Sequence, residues 1–183
     1  MLPKKNEKLW MSIGLIFSII LIYFVAKNLH DVEILIKKSG IAAPLVTIIL
    51  YGLFALTPIT TDPLTIVSGA LFGPIFGILI SWTGNNLAAL IEYYFGTRVA
   101  KITNFKMSKK KLPFGINKLP VSSAWFLILG RLIPGYGGKL ISVMAGMYHV
   151  PLLLYLWTTA FTNLSGSLLL SLGGSQIIHL LKP

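Results

Sequence analysis

The chain has 183 residues, of which 55% are hydrophobic and 11% are charged, and its formal net charge is +11. A soluble domain of this length cannot bury so much apolar surface, so the composition excludes a soluble globular protein and indicates an integral membrane protein. The chain has no cysteine, which excludes disulfides, thiolate nucleophiles and cysteine-ligated metal centres.

The first predicted element is a membrane-spanning helix over residues 9–26, because about 20 apolar residues cross the hydrocarbon layer. Lysines precede this run, but no small-residue cleavage site follows it, so we expect a retained helix rather than a cleaved signal peptide. Residues 27–38 mix charged and apolar side chains, which indicates a short helix in the membrane interface. Residues 1–40 are thus predicted as an N-terminal transmembrane helix with an interfacial linker, and residues 41–55 as a second apolar helix.

Glycine and proline interrupt the next apolar run. The dipeptide Gly73-Pro74 lies in its middle and favours two half-helices joined at a tip. Each half would have about 10 residues, which is too short to cross a membrane. We therefore predict a re-entrant helical hairpin over about residues 58–81, followed by a separate spanning helix over residues 82–95.

A strongly basic segment follows over residues 98–118, which contain lysine and arginine but no acid. The positive-inside bias of membrane proteins predicts a cytoplasmic loop that contacts anionic headgroups. Nucleic-acid binding is the alternative, but the segment lacks an aromatic-interleaved or helix-turn-helix pattern. We therefore expect no nucleic-acid partner.

A second interrupted run repeats the first design. Apolar residues 121–129 and 141–147 flank the sequence Pro134-Gly135-Tyr136-Gly137-Gly138, which predicts a second re-entrant hairpin over about residues 121–147. Residues 150–181 are a last apolar run, and hydropathy leaves open whether it is one helix or two. The fold class predicted is an all-α integral membrane protein, a helical bundle with two facing re-entrant hairpins in an inverted repeat.

One charged residue opens each interrupted run, Asp62 the first and Arg131 the second. A lone charge at the centre of a membrane helix costs about 2.5–3.5 kcal/mol, so such residues usually face a partner or a wet cavity. We expect both side chains in one cavity, where Asp62 balances Arg131 and proton uptake by Asp62 separates the pair. The alternative is that Asp62 caps a helix starting at Pro63 and that Arg131 and Lys139 extend to headgroups.

A phosphate group in such a cavity needs hydrogen-bond donors, which Arg131, Lys139 and the backbone amides of 135–138 would supply. Glu92 is a second acid within an apolar run, either functional or paired with Arg98. Asn163 is predicted to make a hydrogen bond between helices. The histidines occur singly, so neither a metal site nor a cofactor is expected. The candidate site residues are Asp62, Glu92, Arg131, Gly135, Gly137, Gly138, Lys139 and Asn163, with none assigned to catalysis.

Two blocks of the sequence resemble the DedA, or SNARE-associated VTT-domain, family of membrane proteins, and the resemblance covers about residues 40–175. The first block comprises Asp62-Pro63, Gly69, Leu71-Phe72-Gly73, Gly77, Gly84 and Tyr93-Tyr94-Phe95-Gly96-Thr97-Arg98. The second block comprises Gly130-Arg131-Leu132-Ile133-Pro134-Gly135, Ala145-Gly146 and Asn163-Leu164-Ser165-Gly166. Residues 41–183 are accordingly predicted to form one DedA/VTT-like transmembrane domain.

The resemblance implies a flippase or scramblase that moves a phosphate-bearing lipid, such as polyprenyl phosphate or a phospholipid, between leaflets of a bacterial-type plasma membrane, with proton coupling in some members. Asp62 matches the family's acidic residue, and Arg131 its first essential arginine. The family's second arginine is replaced by Gly137 and Gly138, and Lys139, the nearest base, binds phosphate without the bidentate geometry of arginine.

Other functional classes remain open from the sequence. A small ion or solute transporter on the same broken-helix scaffold is the main alternative, and a scaffold protein that transports nothing is another. A membrane enzyme would need a nucleophile and a base, and the sequence shows neither a histidine-containing motif nor paired carboxylates for that role. The oligomeric state is left open between a monomer and a homo-oligomer.

Overall fold

The computed structural model describes residues 29–102, 120–133 and 135–181, with side chains from residue 31 to residue 173 within these ranges. The predicted spanning helix at 9–26, most of the basic segment and Pro134 lie outside the described residues. Within these ranges all regular secondary structure is helical, which confirms the all-α fold class. The helices are α1 (Leu29–Lys38), α2 (Ala43–Ala55), α3 (Asp62–Ile102), α4 (Ala124–Arg131), α5 (Gly137–Met147) and α6 (Leu152–Leu181), and a short 3-10 helix (Gly40–Ala42) precedes α2.

The short helix predicted before residue 39 is present as α1, and Ser39 and Gly40 end it. The backbone bends by 116° between α1 and the helical stretch 40–55. Ile36 of α1 is buried in a cluster with Tyr51 of α2 and Leu64 of α3. This packing joins the amphipathic first helix to the bundle through its apolar side chains.

Helix α3 is broken at Gly73, whose φ of 78° and ψ of 177° are not helical. Residues with a side chain rarely adopt a positive φ, so glycine suits this position. Pro74 then starts the next helical arm. The two arms, 62–72 and 74–102, pack against each other, because a Cβ atom built on Gly77 would lie 2.6 Å from the Cα atom of Gly69. The predicted helix–break–helix unit is therefore present.

The second arm of α3 is longer than the sequence predicted. It runs without interruption through residues 81 and 82 to Ile102, so the prediction of a separate helix over 82–95 is wrong. Gly84, the nearest glycine, does not break the helix but lies against the ring of Tyr51, whose Cδ2 atom would be 2.3 Å from an added Cβ atom. This glycine therefore serves the packing of α2 on α3.

Helices α4 and α5 form the second helix–break–helix unit. Gly135 between them has a φ of 78°, and a Cβ atom on Gly137 would lie 2.6 Å from the carbonyl oxygen of Gly130. Residues 152–181 form one helix, α6, which answers the question that hydropathy left open. Whether the two units are re-entrant and related as an inverted repeat depends on the position of the membrane and stays a prediction.

Within the described residues, α3 has the length and apolar composition needed to cross a membrane. A second candidate arises only if α1 and the stretch 40–55 are counted together as one bent span. Helix α6 packs along α3, and the indole nitrogen of Trp82 donates a hydrogen bond to the carbonyl oxygen of Ala160 at 2.9 Å. The long helices therefore form the frame on which the two broken units are held.

Glycines set the closest contact between α3 and α5. A Cβ atom on Gly96 would lie 2.2 Å from the carbonyl oxygen of Val143, and one on Gly146 would lie 2.0 Å from that of Tyr93. Because backbone atoms face each glycine, no side-chain rotation can relieve an added methyl group. Small residues that let helix backbones approach are common at membrane helix contacts.

Replacing Gly96 with alanine is expected to lower the free energy of unfolding by about 1–3 kcal/mol, because the added methyl group forces the two helices apart. Gly173→Ala is the matched control, since Gly173 lies within α6 and an added Cβ atom there meets nothing within 4 Å. Thermal unfolding in detergent would measure both. A Gly96→Ala protein that melts at the wild-type temperature would contradict this account of the contact.

Candidate functional site

A cavity of about 300 Å³ lies between the two broken units and α6. Every candidate site residue from the sequence lines it except Gly137. Gly137 is instead buried against Gly130 and Ile133 of the same unit, so its prediction as a cavity residue is wrong. The seven candidate residues that belong to the lining are Asp62, Glu92, Arg131, Gly135, Gly138, Lys139 and Asn163.

Arg131 is the last residue of α4, and neutral groups fix its side chain. One terminal nitrogen donates to the Ser142 hydroxyl at 2.9 Å and to the Tyr155 hydroxyl at 3.1 Å. The Cζ atom of Arg131 lies 5.2 Å from the centre of the Tyr155 ring, within cation–π distance. Tyr155 in turn donates to the carbonyl oxygen of Ala89 at 2.6 Å, so α6 and α3 together orient the guanidinium group.

The charge of Arg131 is not balanced by a direct ion pair. Among the described residues no carboxylate lies within ion-pair distance of its guanidinium group. Its Nε atom is buried and makes no hydrogen bond with any of them. Arg131 therefore contributes a positive charge to the cavity, and its buried Nε–H has no acceptor in the described part of the chain.

Asp62 shares the cavity with Arg131, as the sequence predicted, but the two do not pair. Within the described ranges the Asp62 carboxylate makes neither an ion pair nor a side-chain hydrogen bond. Asp62 is the first residue of α3 and precedes Pro63. A carboxylate at this position interacts favourably with the positive end of the helix dipole. The predicted balance of Asp62 against Arg131 is therefore replaced by two separate charges in one cavity.

The ion pair at this site joins Lys139 of α5 to Glu92 of α3, with 3.7 Å between Nζ and Oε1. Glu92 thus pairs with Lys139 rather than with Arg98. The Lys139 ammonium also donates to three backbone carbonyl oxygens, those of Phe54 at 3.0 Å, Thr57 at 2.5 Å and Ile59 at 2.8 Å.

These three carbonyl oxygens belong to the last turn of α2 and to the loop that leads to Asp62. A lysine ammonium has three protons and no acceptor, so these bonds use its full donor capacity. Both side chains are also nearly inaccessible, with 14% of the Lys139 side chain and 7% of that of Glu92 exposed. Lys139 therefore holds the loop in place, and its predicted role as the second phosphate-binding base loses its geometric basis.

Asparagine amides link the elements around the cavity. Asn163 of α6 donates to the side-chain oxygen of Asn86 at 3.3 Å, which confirms the predicted hydrogen bond between helices. Asn85, which the sequence reasoning missed, accepts from the Thr61 hydroxyl at 2.6 Å and donates to the Thr65 hydroxyl at 3.2 Å. Two adjacent amides inside an apolar run were the signal that would have found it.

Helix α6 presents a line of polar side chains, of which the sequence analysis identified only Asn163. Thr159, Asn163, Ser167 and Ser171 recur every four residues, which places them on one face of the helix. The hydroxyls of the threonine and the two serines are buried without a hydrogen-bond partner among the described residues. Buried hydroxyls normally have partners, often ordered water. Asn163 and Ser167 of this face line the cavity, whereas Ser171 packs against Gly69 and Gly77 of the first broken unit.

The described residues contain no group of three or more histidine, cysteine or acidic side chains arranged to hold a metal ion. A family model described as the VTT domain matches residues 57–176. This range is more than half of the chain and includes both broken units, most of α6 and all the lining residues of the cavity. No curated protein and no solved structure matches the chain.

Proposed function

Since this chain belongs to the VTT-domain family, also known as the DedA or SNARE-associated family, we propose that it is a multi-pass membrane protein that moves a phosphate-bearing lipid between leaflets. The lipid class is a polyprenyl phosphate or a phospholipid, and the setting is a bacterial-type plasma membrane. No covalent step is part of this proposal. The family is membrane-associated and often linked to transport, which supports a transporter rather than an enzyme.

The observation that carries the proposal is the guanidinium of Arg131, which lines a cavity of about 300 Å³ and makes no direct ion pair with a described carboxylate. A half-buried cation without a direct counter-ion attracts an anion, and an anionic headgroup in the cavity would supply that counter-ion. Phosphate oxygens accept charge-assisted hydrogen bonds from arginine with favourable geometry. The Nε proton of Arg131 and the hydroxyl of Ser167 have no acceptor among the described residues, but both atoms are buried, so a headgroup would reach them after a local side-chain rearrangement.

The apolar edge of the cavity favours a lipid over a free anion. The apolar residues Leu132, Ile133 and Leu169 line the cavity, and they are 60%, 61% and 75% exposed. A lipid has the same two parts, a charged head that would meet Arg131 and acyl or prenyl chains that would meet these side chains. In the proposed arrangement the two broken units are re-entrant hairpins that enter from opposite sides of the membrane.

Proton coupling is proposed through Asp62. Its carboxylate lines the cavity without a partner among the described residues, so its charge adds directly to the field that a phosphate experiences. Protonation of Asp62 would remove a negative charge next to the anionic headgroup and favour its entry. A proton gradient would then bias the direction in which lipid moves.

Leaflet exchange by the reconstituted wild-type protein tests the proposal. Vesicles would carry a fluorescent phospholipid or a fluorescent polyprenyl phosphate, and a quencher outside would report how fast the inner-leaflet lipid becomes accessible. We expect exchange faster than in protein-free vesicles, and faster still for the lipid that is the substrate. Exchange equal to that of protein-free vesicles for both lipids would refute lipid transport.

A transporter of a small anion or solute is the second candidate, because the cavity is small and partly polar. It predicts flux of a water-soluble tracer such as inorganic phosphate through vesicles in which lipid exchange stays at the protein-free rate. The two assays on one preparation therefore separate the candidates.

A further inference from the structure

The Lys139 ammonium lies among four oxygen atoms that converge from three parts of the chain. Three are the carbonyl oxygens of Phe54, Thr57 and Ile59, at 2.5–3.0 Å from Nζ. The fourth is Oε1 of Glu92 at 3.7 Å. We call this set of four oxygens the oxygen cage.

The composition of the oxygen cage is that of a monovalent-cation site. Backbone carbonyls replace the hydration shell of potassium ions in selective pores, and unwound backbone with helix C-terminal ends coordinates sodium ions in transporters. The cage has the same sources, because Phe54 is in the last turn of α2 and Thr57 and Ile59 are in the loop after it. The negative end of the α2 dipole adds to the attraction for a cation.

We propose that the oxygen cage is a monovalent-cation site that this chain fills with its own Lys139 ammonium, and that a shorter side chain at position 139 lets a free ammonium, methylammonium or potassium ion bind there. The tethered ammonium has the charge of such an ion and makes the same contacts with oxygen. Its attachment to α5 removes any dependence on the ions in solution. Cation binding at the oxygen cage does not depend on lipid transport.

The geometry explains why the site must hold a cation. Without one, the carbonyl oxygens of Thr57 and Ile59 and the nearly inaccessible Glu92 carboxylate would lose the ammonium as their donor, whereas the Phe54 carbonyl would keep its bonds from the Thr57 amide and hydroxyl. Acceptors that lose their donors are destabilising where they are buried. The loop that contributes two of the oxygens continues directly into Thr60, Thr61 and Asp62, which line the cavity. A filled oxygen cage therefore fixes one wall of the cavity.

The test is thermal unfolding of purified Lys139→Ala protein in detergent, titrated with methylammonium, potassium or sodium chloride against choline chloride at equal ionic strength. Choline is too large to enter the cage. At about a hundredfold excess of a cation over its dissociation constant, we expect the melting temperature of Lys139→Ala to rise by roughly 5–10 °C above its value in choline. The wild-type protein should show no such difference, because its oxygen cage is filled.

Two further variants control the interpretation. Lys139→Met fills most of the same volume without a charge and should show no cation-specific shift. Glu92→Gln/Lys139→Ala keeps the three carbonyl oxygens but loses the carboxylate, so it should require higher cation concentrations for the same shift.

The proposal is overturned if Lys139→Ala melts at the same temperature in choline and in every small cation. It is equally overturned if the wild-type or Lys139→Met protein shows the same shift, because the cation then binds elsewhere. A Lys139→Ala protein that is not recovered folded in any of these salts also contradicts it, since no free cation would then replace the tethered one.

Discussion

Arg131→Gln is expected to slow leaflet exchange of the phosphate-bearing lipid by about 30-fold to 1,000-fold, because it removes an arginine–phosphate interaction worth roughly 2–4 kcal/mol. Glutamine keeps a polar amide but ends two bonds short of the arginine nitrogen that donates to Ser142 and Tyr155, so thermal unfolding of Arg131→Gln is measured beside exchange to separate loss of charge from loss of stability. The exchange rate of Arg131→Lys should fall between those of the wild type and Arg131→Gln, since lysine keeps the charge but not the planar array of donors. The measurement is the quenching assay on reconstituted vesicles.

Lys101→Gln is the matched control for Arg131→Gln. Lys101 is exposed at the C-terminal end of α3 and is absent from the cavity lining, so its removal lowers the net charge equally without touching the site. Equal exchange rates in Arg131→Gln and wild-type vesicles, at equal protein content, would exclude Arg131 from headgroup binding. An equal loss in both variants would instead assign the effect to general charge at the membrane surface.

Lys139→Met is expected to lower the free energy of unfolding by about 3–5 kcal/mol, because it leaves the carboxylate of Glu92 buried without its partner. The double variant Glu92→Gln/Lys139→Met should recover part of this loss, since it removes the uncompensated charge. Thermal or denaturant unfolding of the two variants and of Glu92→Gln completes a double-mutant cycle. A double variant less stable than Lys139→Met would show that the pair is not the source of the loss.

The surface ion pair between Lys37 and Glu33 provides the control. Its atoms are closer, at 2.5 Å, but 60% of the Lys37 side chain and 33% of that of Glu33 are exposed. Exposed pairs contribute about 0–1 kcal/mol, so Lys37→Met should change stability much less than Lys139→Met. The comparison tests whether burial rather than distance decides the strength of an ion pair in this protein.

The breaks in the fold were predictable because their causes are local. Gly73 and Gly135 adopt positive φ values, and glycine with proline in an apolar run indicates such a conformation without knowledge of the rest of the chain. The length of the second arm of α3 was not predictable in the same way. No local signal in the sequence marks residue 81 as either the end or the continuation of a helix.

The membership of the cavity was predicted better than its contacts. Charges in apolar runs are costly enough to be gathered in one place, which brought Asp62, Glu92 and Arg131 together correctly. Which charge pairs with which depends on the path of the loop at 56–61, which carries carbonyl oxygens to Lys139. Backbone oxygens have no signature in the sequence, so the partner of Lys139 could not be read from it.

Helix α6 runs unbroken from one broken unit to the other. Its backbone at Ser171 touches Gly69 and its side chain lies against Gly77, on either side of the first break. Tyr155 of the same helix accepts a hydrogen bond from Arg131. At the rise of an α-helix, Tyr155 lies about 24 Å from Ser171 along the helix axis. One continuous helix therefore contacts both the first break and the side chain that orients Arg131, so a rigid-body shift of α6 would change the two contacts together.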